Sequence, residues 1–158
     1  MKTDGFEILL VDDSSADVEL TLHALRNHAM VNVVHVARDG EEALNFLFCR
    51  DGFQDRLDRP LPQLILLDLK LPKVDGLSVL RTLKEDSRTR SIPVIILTSS
   101  SEEKDLLATY DLGVNSYIQK PVDFGEFRET VHTLGLYWLL VNLAPPRQPL
   151  SAPARKTG

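Results

Sequence analysis

Three runs of four uninterrupted aliphatic residues, each stopped by a polar group, constrain this chain more than any other feature. They are Ile8-Leu9-Leu10-Val11 before Asp12-Asp13, Leu64-Ile65-Leu66-Leu67 before Asp68, and Val94-Ile95-Ile96-Leu97 before Thr98-Ser99. Four residues make barely one helical turn, but they suit a strand covered on both faces, where the usual polar alternation disappears. A weaker run, Val33-Val34 with Val36, and a short one, Ser116 to Gln119 before Lys120-Pro121, supply two further strands.

Longer amphipathic stretches separate the strands. Ser14 and Asp17 make a capping-box pattern ahead of Val18, Leu22 and Leu25 on one helical face, and Asp39 and Glu42 repeat it ahead of a helix running to about Arg50. Pro72 and Gly76 flank a turn before Leu77, Leu80 and Leu83. Leu106, Leu107 and Tyr110 belong to a fourth helix, ended by Gly113. Phe124, Phe127, Val131, Leu134 and Trp138 recur at three-to-four spacing along a fifth. Five strands alternating with five helices predict an α/β domain with a doubly wound parallel sheet, whose ligands bind beyond the carboxyl ends of the strands.

Composition sets the outer bounds. The 158 residues, 43% hydrophobic and 26% charged, fit one soluble domain, and the apolar runs fall far short of a bilayer span. A net charge of -5 argues against nucleic-acid binding, which needs clustered Lys and Arg. The N-terminus shows no secretory pattern, and a single cysteine, Cys49, allows no internal disulfide, so a cytoplasmic location is expected. Cys49 is predicted to be a small core residue on the second helix, with Ala43, Leu44, Leu47 and Phe48. The segment Asp51–Pro62 is long for a connection in a compact α/β domain, and a solvated excursion is its simplest reading. Residues 1–143 are expected to form the domain with a C-terminal helical extension. Residues 144–158, with four prolines, three basic residues and no acid, read as a disordered tail.

The chemistry lies at the strand ends. A parallel sheet brings Asp12, Asp13, Asp68, Thr98, Ser99 and Lys120 to one edge. An Asp-Asp pair at a helix start is commonly no more than a favourable partner for the macrodipole, and Asp68, Thr98 or Lys120 alone would be an ordinary loop or cap residue. Their joint occurrence at four strand ends points to a site. Carboxylates this close need raised pKa values or a cation, and an all-oxygen donor set favours a hard ion such as Mg²⁺ (or Mn²⁺). A cation, an ammonium and a hydroxyl around one carboxylate suit phosphoryl transfer. His23, His28, His35 and His132 show no metal-ligand spacing, and no Gly-rich phosphate loop or dinucleotide fingerprint occurs.

Four motifs, Ile8-Leu-Leu-Val-Asp-Asp-Ser14, Leu66-Leu-Asp-Leu-Lys-Leu-Pro-Lys-Val-Asp-Gly76, Val94-Ile-Ile-Leu-Thr-Ser99 and Tyr117-Ile-Gln-Lys-Pro121, stand in the order found in two-component receiver domains, which the chain resembles over about residues 6–140. The resemblance implies a flavodoxin-like sheet of strand order 2-1-3-4-5. It implies Asp68 as phosphoacceptor, with a sensor histidine kinase as donor and partner. Asp12, Asp13, Asp68 and the backbone carbonyl of Lys70 would hold the metal, while Lys120, Thr98 and the Ser99 N–H would meet phosphoryl oxygens. Thr98 and Tyr117 would form a conformational switch, and the Lys120–Pro121 peptide would be cis. The Asp51–Pro62 insertion and the Tyr137-Trp138-Leu-Leu extension are similar to small single-domain regulators paired with bacterial phytochrome-type kinases. No output domain being expected, the signal would pass by protein contact or by handing the phosphoryl group on. Phe127, Tyr137 and Trp138 are the candidate interface residues of a homodimer, with no role for membrane or nucleic acid.

Three other readings compete. A phosphorylation-independent docking module of the same fold would not need all five site groups. A flavin protein would not place Asp12-Asp13 where a flavin phosphate must sit. An aspartate-nucleophile phosphatase would usually carry an acid where Lys70 stands.

Overall fold

The computed structural model describes residues 7–26, 33–99 and 116–134. The fourth expected helix around Leu106 to Tyr110, the extension with Tyr137 and Trp138, the tail 144–158, Ser100 and His28 lie outside the described residues.

Five parallel strands form one sheet in the order β2-β1-β3-β4-β5: β1 (Glu7–Val11), β2 (Val33–Ala37), β3 (Leu64–Asp68), β4 (Val94–Thr98) and β5 (Tyr117–Gln119). Among the described residues the helices are α1 (Ser15–Arg26), α2 (Gly40–Leu47), α3 (Gly76–Glu85) and α4 (Phe124–Thr133), the last being the fifth expected from the sequence.

Side-chain alternation along each strand divides the core cleanly. Leu9 and Val11, Ile65 and Leu67, Val94 and Ile96 point to one face, with Phe46 and Leu47 of α2 and Val79, Leu80 and Leu83 of α3. Ile8 and Leu10, Leu64 and Leu66, Ile95 and Leu97 point to the other, with Val18, Leu22 and Leu25 of α1 and Phe127 and Val131 of α4. That is why the three central runs lack polar alternation: a strand buried on both faces has no solvent side. Phe127, expected at a subunit interface, is instead wholly buried in the second core. Its helical face is the one the sheet requires, so it is not available to a partner.

The helix starts follow their sequence signals. Asp39, Asp75 and Asp123 each accept a hydrogen bond from the backbone N–H three residues on, at 2.7, 2.8 and 2.9 Å. Such caps are worth roughly 1 kcal/mol each. The α2 helix stops at Leu47, earlier than the sequence suggests. Cys49 lies beyond it with φ 58°, a left-handed residue that turns the chain, half-buried and not on the helical face expected of it.

The Asp51–Pro62 segment is also more than a solvated excursion. A 3-10 turn at Gln54–Arg56 folds back over α2. Phe53 meets the Phe46 ring edge-on at 5.4 Å, and the buried Arg56 guanidinium lies 3.7 Å above the same ring. A stacked, weakly hydrated guanidinium can serve as part of a core where an ammonium would not.

Two glycines let backbones approach. A Cβ on Gly76 would overlap the Asp68 carbonyl oxygen, and one on Gly40 would overlap the Val74 carbonyl oxygen. Gly40 thus packs the start of α2 onto the loop that follows β3, and its N–H reaches the Pro72 carbonyl at 3.4 Å. Gly40→Ala should therefore lower stability by about 1–3 kcal/mol, the usual range for forced overpacking. A urea midpoint equal to that of the unsubstituted protein would show that the loop yields freely.

Candidate functional site

The register places the site. Val11 lies opposite Leu67, Asp68 opposite Leu97, and Thr98 opposite Gln119. Asp12, one residue past β1, therefore stands beside Asp68, and Lys120, one past β5, stands beyond Thr98. Between β1 and β3 the strand order reverses direction, the crevice where ligands bind in such sheets.

Asp12, Asp13 and Asp68 each offer an oxygen within 4.8 Å of the others. Asp12 and Asp68 are buried, whereas Asp13 is exposed and opens the cluster to solvent. Backbone donors fix the buried pair. The Ser14 N–H donates to Asp12 Oδ1 at 3.0 Å, and the Lys70 N–H donates to Asp68 Oδ1 at 3.2 Å. The remaining oxygens face Lys120, whose Nζ lies 2.9 Å from Asp68 Oδ2 and 3.0 Å from Asp12 Oδ2. The Asp12 contact is an ion pair off the hydrogen-bond axis, so that fully buried oxygen lacks a well-aligned donor among the described residues. An all-oxygen set with one such oxygen fits a hard divalent cation.

Lys120 is itself anchored. Its N–H donates to the Thr98 carbonyl at 2.8 Å, tying the end of β5 to β4, and the peptide to Pro121 is cis. Thr98 Oγ1 is buried and has no hydrogen-bond partner among the described residues. A hydroxyl left so costs about 1–3 kcal/mol, which makes it a candidate ligand contact. Tyr117 sits half-buried on the same sheet face as Ile96, its register partner two residues before Thr98.

One residue of the centre was missed in the sequence. Asp17, in the first turn of α1, accepts a hydrogen bond from Lys120 Nζ at 3.0 Å. Its N–H does bond to Ser14 Oγ at 3.2 Å, as the capping pattern requires. Its carboxylate, however, turns to the lysine. The available signal was its spacing: four residues past Asp13, one helical turn deeper on α1.

Electrostatics divides the centre unequally. Burial disfavours the Lys120 ammonium, but its hydrogen bonds to Asp68 and Asp17 and its ion pair with Asp12 outweigh this and hold its pKa above the ordinary value. Burial pushes Asp68 above its ordinary 3.8, and the Lys120 hydrogen bond and charge only partly offset this. The two partners of one ion pair thus shift with opposite import. The lysine draws on three carboxylates, while Asp68 shares one ammonium with the others, so the charge of Asp68 is the contested one.

The chain matches the model of the response regulator receiver domain over residues 8–132. The chain belongs to the response regulator receiver family. It is 41% identical over 142 residues to the probable methanogenesis regulatory protein FilR2 of Methanothrix harundinacea, covering 90% of this receiver and 89% of that protein. It is 38% identical to response regulator Rcp1 of Synechocystis, covering 84% of this chain and 88% of that one. Rcp1 is also similar in structure in its Mn²⁺-bound form, with a TM-score of 0.67 and 36% identity over 90% of this chain and 99% of that one. The bacteriophytochrome response regulator AtBRR superposes with a TM-score of 0.75 at 43% identity, over 95% of this chain and 100% of that one.

Protons and a divalent cation compete for the receiver's carboxylates. A carboxyl raised above 3.8 keeps its proton to higher pH, so the competition extends above the ordinary range. Mg²⁺ affinity should fall as pH drops through the raised value of Asp68, and binding there should release protons. Calorimetric titration in buffers of different ionisation enthalpy measures both, and an affinity independent of pH between 4 and 7, roughly the span from unperturbed carboxylates to neutrality, would contradict it.

Proposed function

We propose that this receiver accepts a phosphoryl group on Asp68 from a phosphohistidine of a sensor histidine kinase. The observation that carries the reading is the meeting of Asp12, Asp13 and Asp68 within 4.8 Å at the sheet's switch point, with Lys120 hydrogen-bonded to Asp68. A carboxylate oxygen of Asp68 attacks phosphorus, the phosphorus–nitrogen bond breaks and the imidazole leaves. Asp12, Asp13, Asp68 and the Lys70 carbonyl would hold Mg²⁺ or Mn²⁺, which supplies charge neutralisation for the transferring group. The Lys120 ammonium stabilises one phosphoryl oxygen and the unsatisfied Thr98 hydroxyl another, with the Ser99 N–H for the third. The same centre, reached by an in-line water, would hydrolyse the acyl phosphate slowly.

The switch follows from burial. Thr98 Oγ1, without a hydrogen-bond partner among the described residues, would gain one by moving toward a phosphoryl oxygen, and Tyr117, further along the same sheet face, would turn into the space released. Bacteriophytochrome-type kinases are the proposed donors, supported by the likeness to the bacteriophytochrome response regulator AtBRR, and the cytoplasm is the proposed compartment. Incubation with a small phosphodonor and Mg²⁺ should add about 80 Da, roughly one HPO₃, to the intact protein. Asp68→Asn or excess chelator should abolish the adduct; an equal yield in either case would sink the assignment.

We also infer a homodimer built on the apolar stretch Leu136–Leu143, with Tyr137 and Trp138 as anchors, because no single face of a helix can bury residues around its whole circumference. Sedimentation of the full chain at several concentrations, beside a truncation after Leu134, should show dimers only in the former. Monomers in both at tens of micromolar, roughly the range of modest interfaces, would end the proposal.

A further inference from the structure

Asp17 touches the centre without belonging to the acidic trio. Lys120 donates hydrogen bonds to Asp68 and Asp17 and forms an ion pair with Asp12. Two of these carboxylates are the ones a divalent cation would take. A cation among Asp12, Asp13 and Asp68 brings like charge against the Lys120 ammonium and weakens its contacts with Asp12 and Asp68. Its backbone is pinned to Thr98, so the side chain alone can move. Asp17 is the partner left to it. The carboxylate stands on a rigid element, because Val18 and Leu22 fix α1 in the core.

We propose that Asp17 is a positioning residue that holds the Lys120 ammonium clear of the divalent cation while keeping it within reach of a phosphoryl oxygen. The inference rests on the reading of the centre as a cation-dependent phosphoryl acceptor. In Asp17→Asn the isosteric amide keeps an oxygen that can accept a hydrogen bond but removes the charge. The ammonium then falls back on Asp12 and Asp68 and competes with the cation. Asp17→Glu keeps the charge on a longer arm and should recover most of the loss.

The direct attraction of Asp17 for a cation acts in the same direction, so a single substitution does not isolate the effect. A double-mutant cycle with Lys120→Ala does, since without the ammonium there is nothing left to hold. Calorimetric titration of the full chain with Mg²⁺ reads the cycle. Asp17→Asn should weaken binding about five-fold, equivalent to about 1 kcal/mol, when Lys120 is present. In the Lys120→Ala background, which should itself bind Mg²⁺ at least as tightly as the unsubstituted protein, the same substitution should change affinity by less than about two-fold, the residue of a screened, half-exposed charge.

An equal loss in both backgrounds would assign the effect to a direct field or to damage to α1, and would overturn the proposal. So would unchanged binding in Asp17→Asn while the unsubstituted protein binds Mg²⁺ normally. Failure of the unsubstituted protein to bind Mg²⁺ would instead remove the underlying reading of the centre.

Discussion

One ammonium ion among acidic groups makes the rest of this architecture possible. Asp12 and Asp68 are buried at the end of adjacent strands, where two bare carboxylates would repel each other and lack water. Lys120 answers both difficulties, and it can do so only because β5 is the fifth strand in a sheet whose carboxyl ends share one edge. The sheet order is therefore an electrostatic requirement of the site as much as a consequence of packing.

Backbone donors and close glycines then set how firmly the centre is held. The N–H groups of Ser14 and Lys70 aim the buried carboxylates. Gly76 lets the start of α3 lie against the carbonyl of Asp68 itself, and its N–H donates to the Leu69 carbonyl at 2.9 Å. The loop that carries Lys70 is thus closed on itself at both ends. Lys73, at φ 68°, bends that loop toward α2, where its ammonium lies 3.7 Å from Asp39 and 3.5 Å from Glu41. These exposed ion pairs add little energy, but they mark where the loop rests.

Much of this could be read in the sequence because the signal was local. An apolar run ended by Asp, Asp or Thr states both that a strand is buried and where its functional end lies, so the strands, the strand order with the family resemblance, and the meeting of Asp12, Asp13, Asp68 and Lys120 all emerged. The failures involve contacts between distant segments. Asp17 satisfied a capping pattern completely in local terms, and only the fold brings Lys120 to it. The Asp51–Pro62 segment read as a solvated excursion because its charges are visible in the sequence, whereas the stacking of Arg56 on Phe46 exists only in the fold. Cys49 continued a helical pattern in composition, whereas a left-handed backbone ended the helix first. Phe127 presented one apolar face that two environments could use, and the sheet claimed it.

The two-faced burial of β1, β3 and β4 has a bearing on how the chain finds this structure. In a half-exposed strand, slipping the pairing by one residue turns the apolar side to water, and that penalty fixes the alignment. Here both sides are aliphatic, and a slipped strand would find grease either way. What distinguishes the native alignment is the polar residue at each terminus: sliding β3 forward would carry Asp68 past Lys120 and beyond the sheet edge, and sliding it back would thrust the carboxylate between aliphatic neighbours. The acids of the site thus also serve as alignment marks during assembly, so that the same groups which make the folded molecule reactive help to proofread its construction.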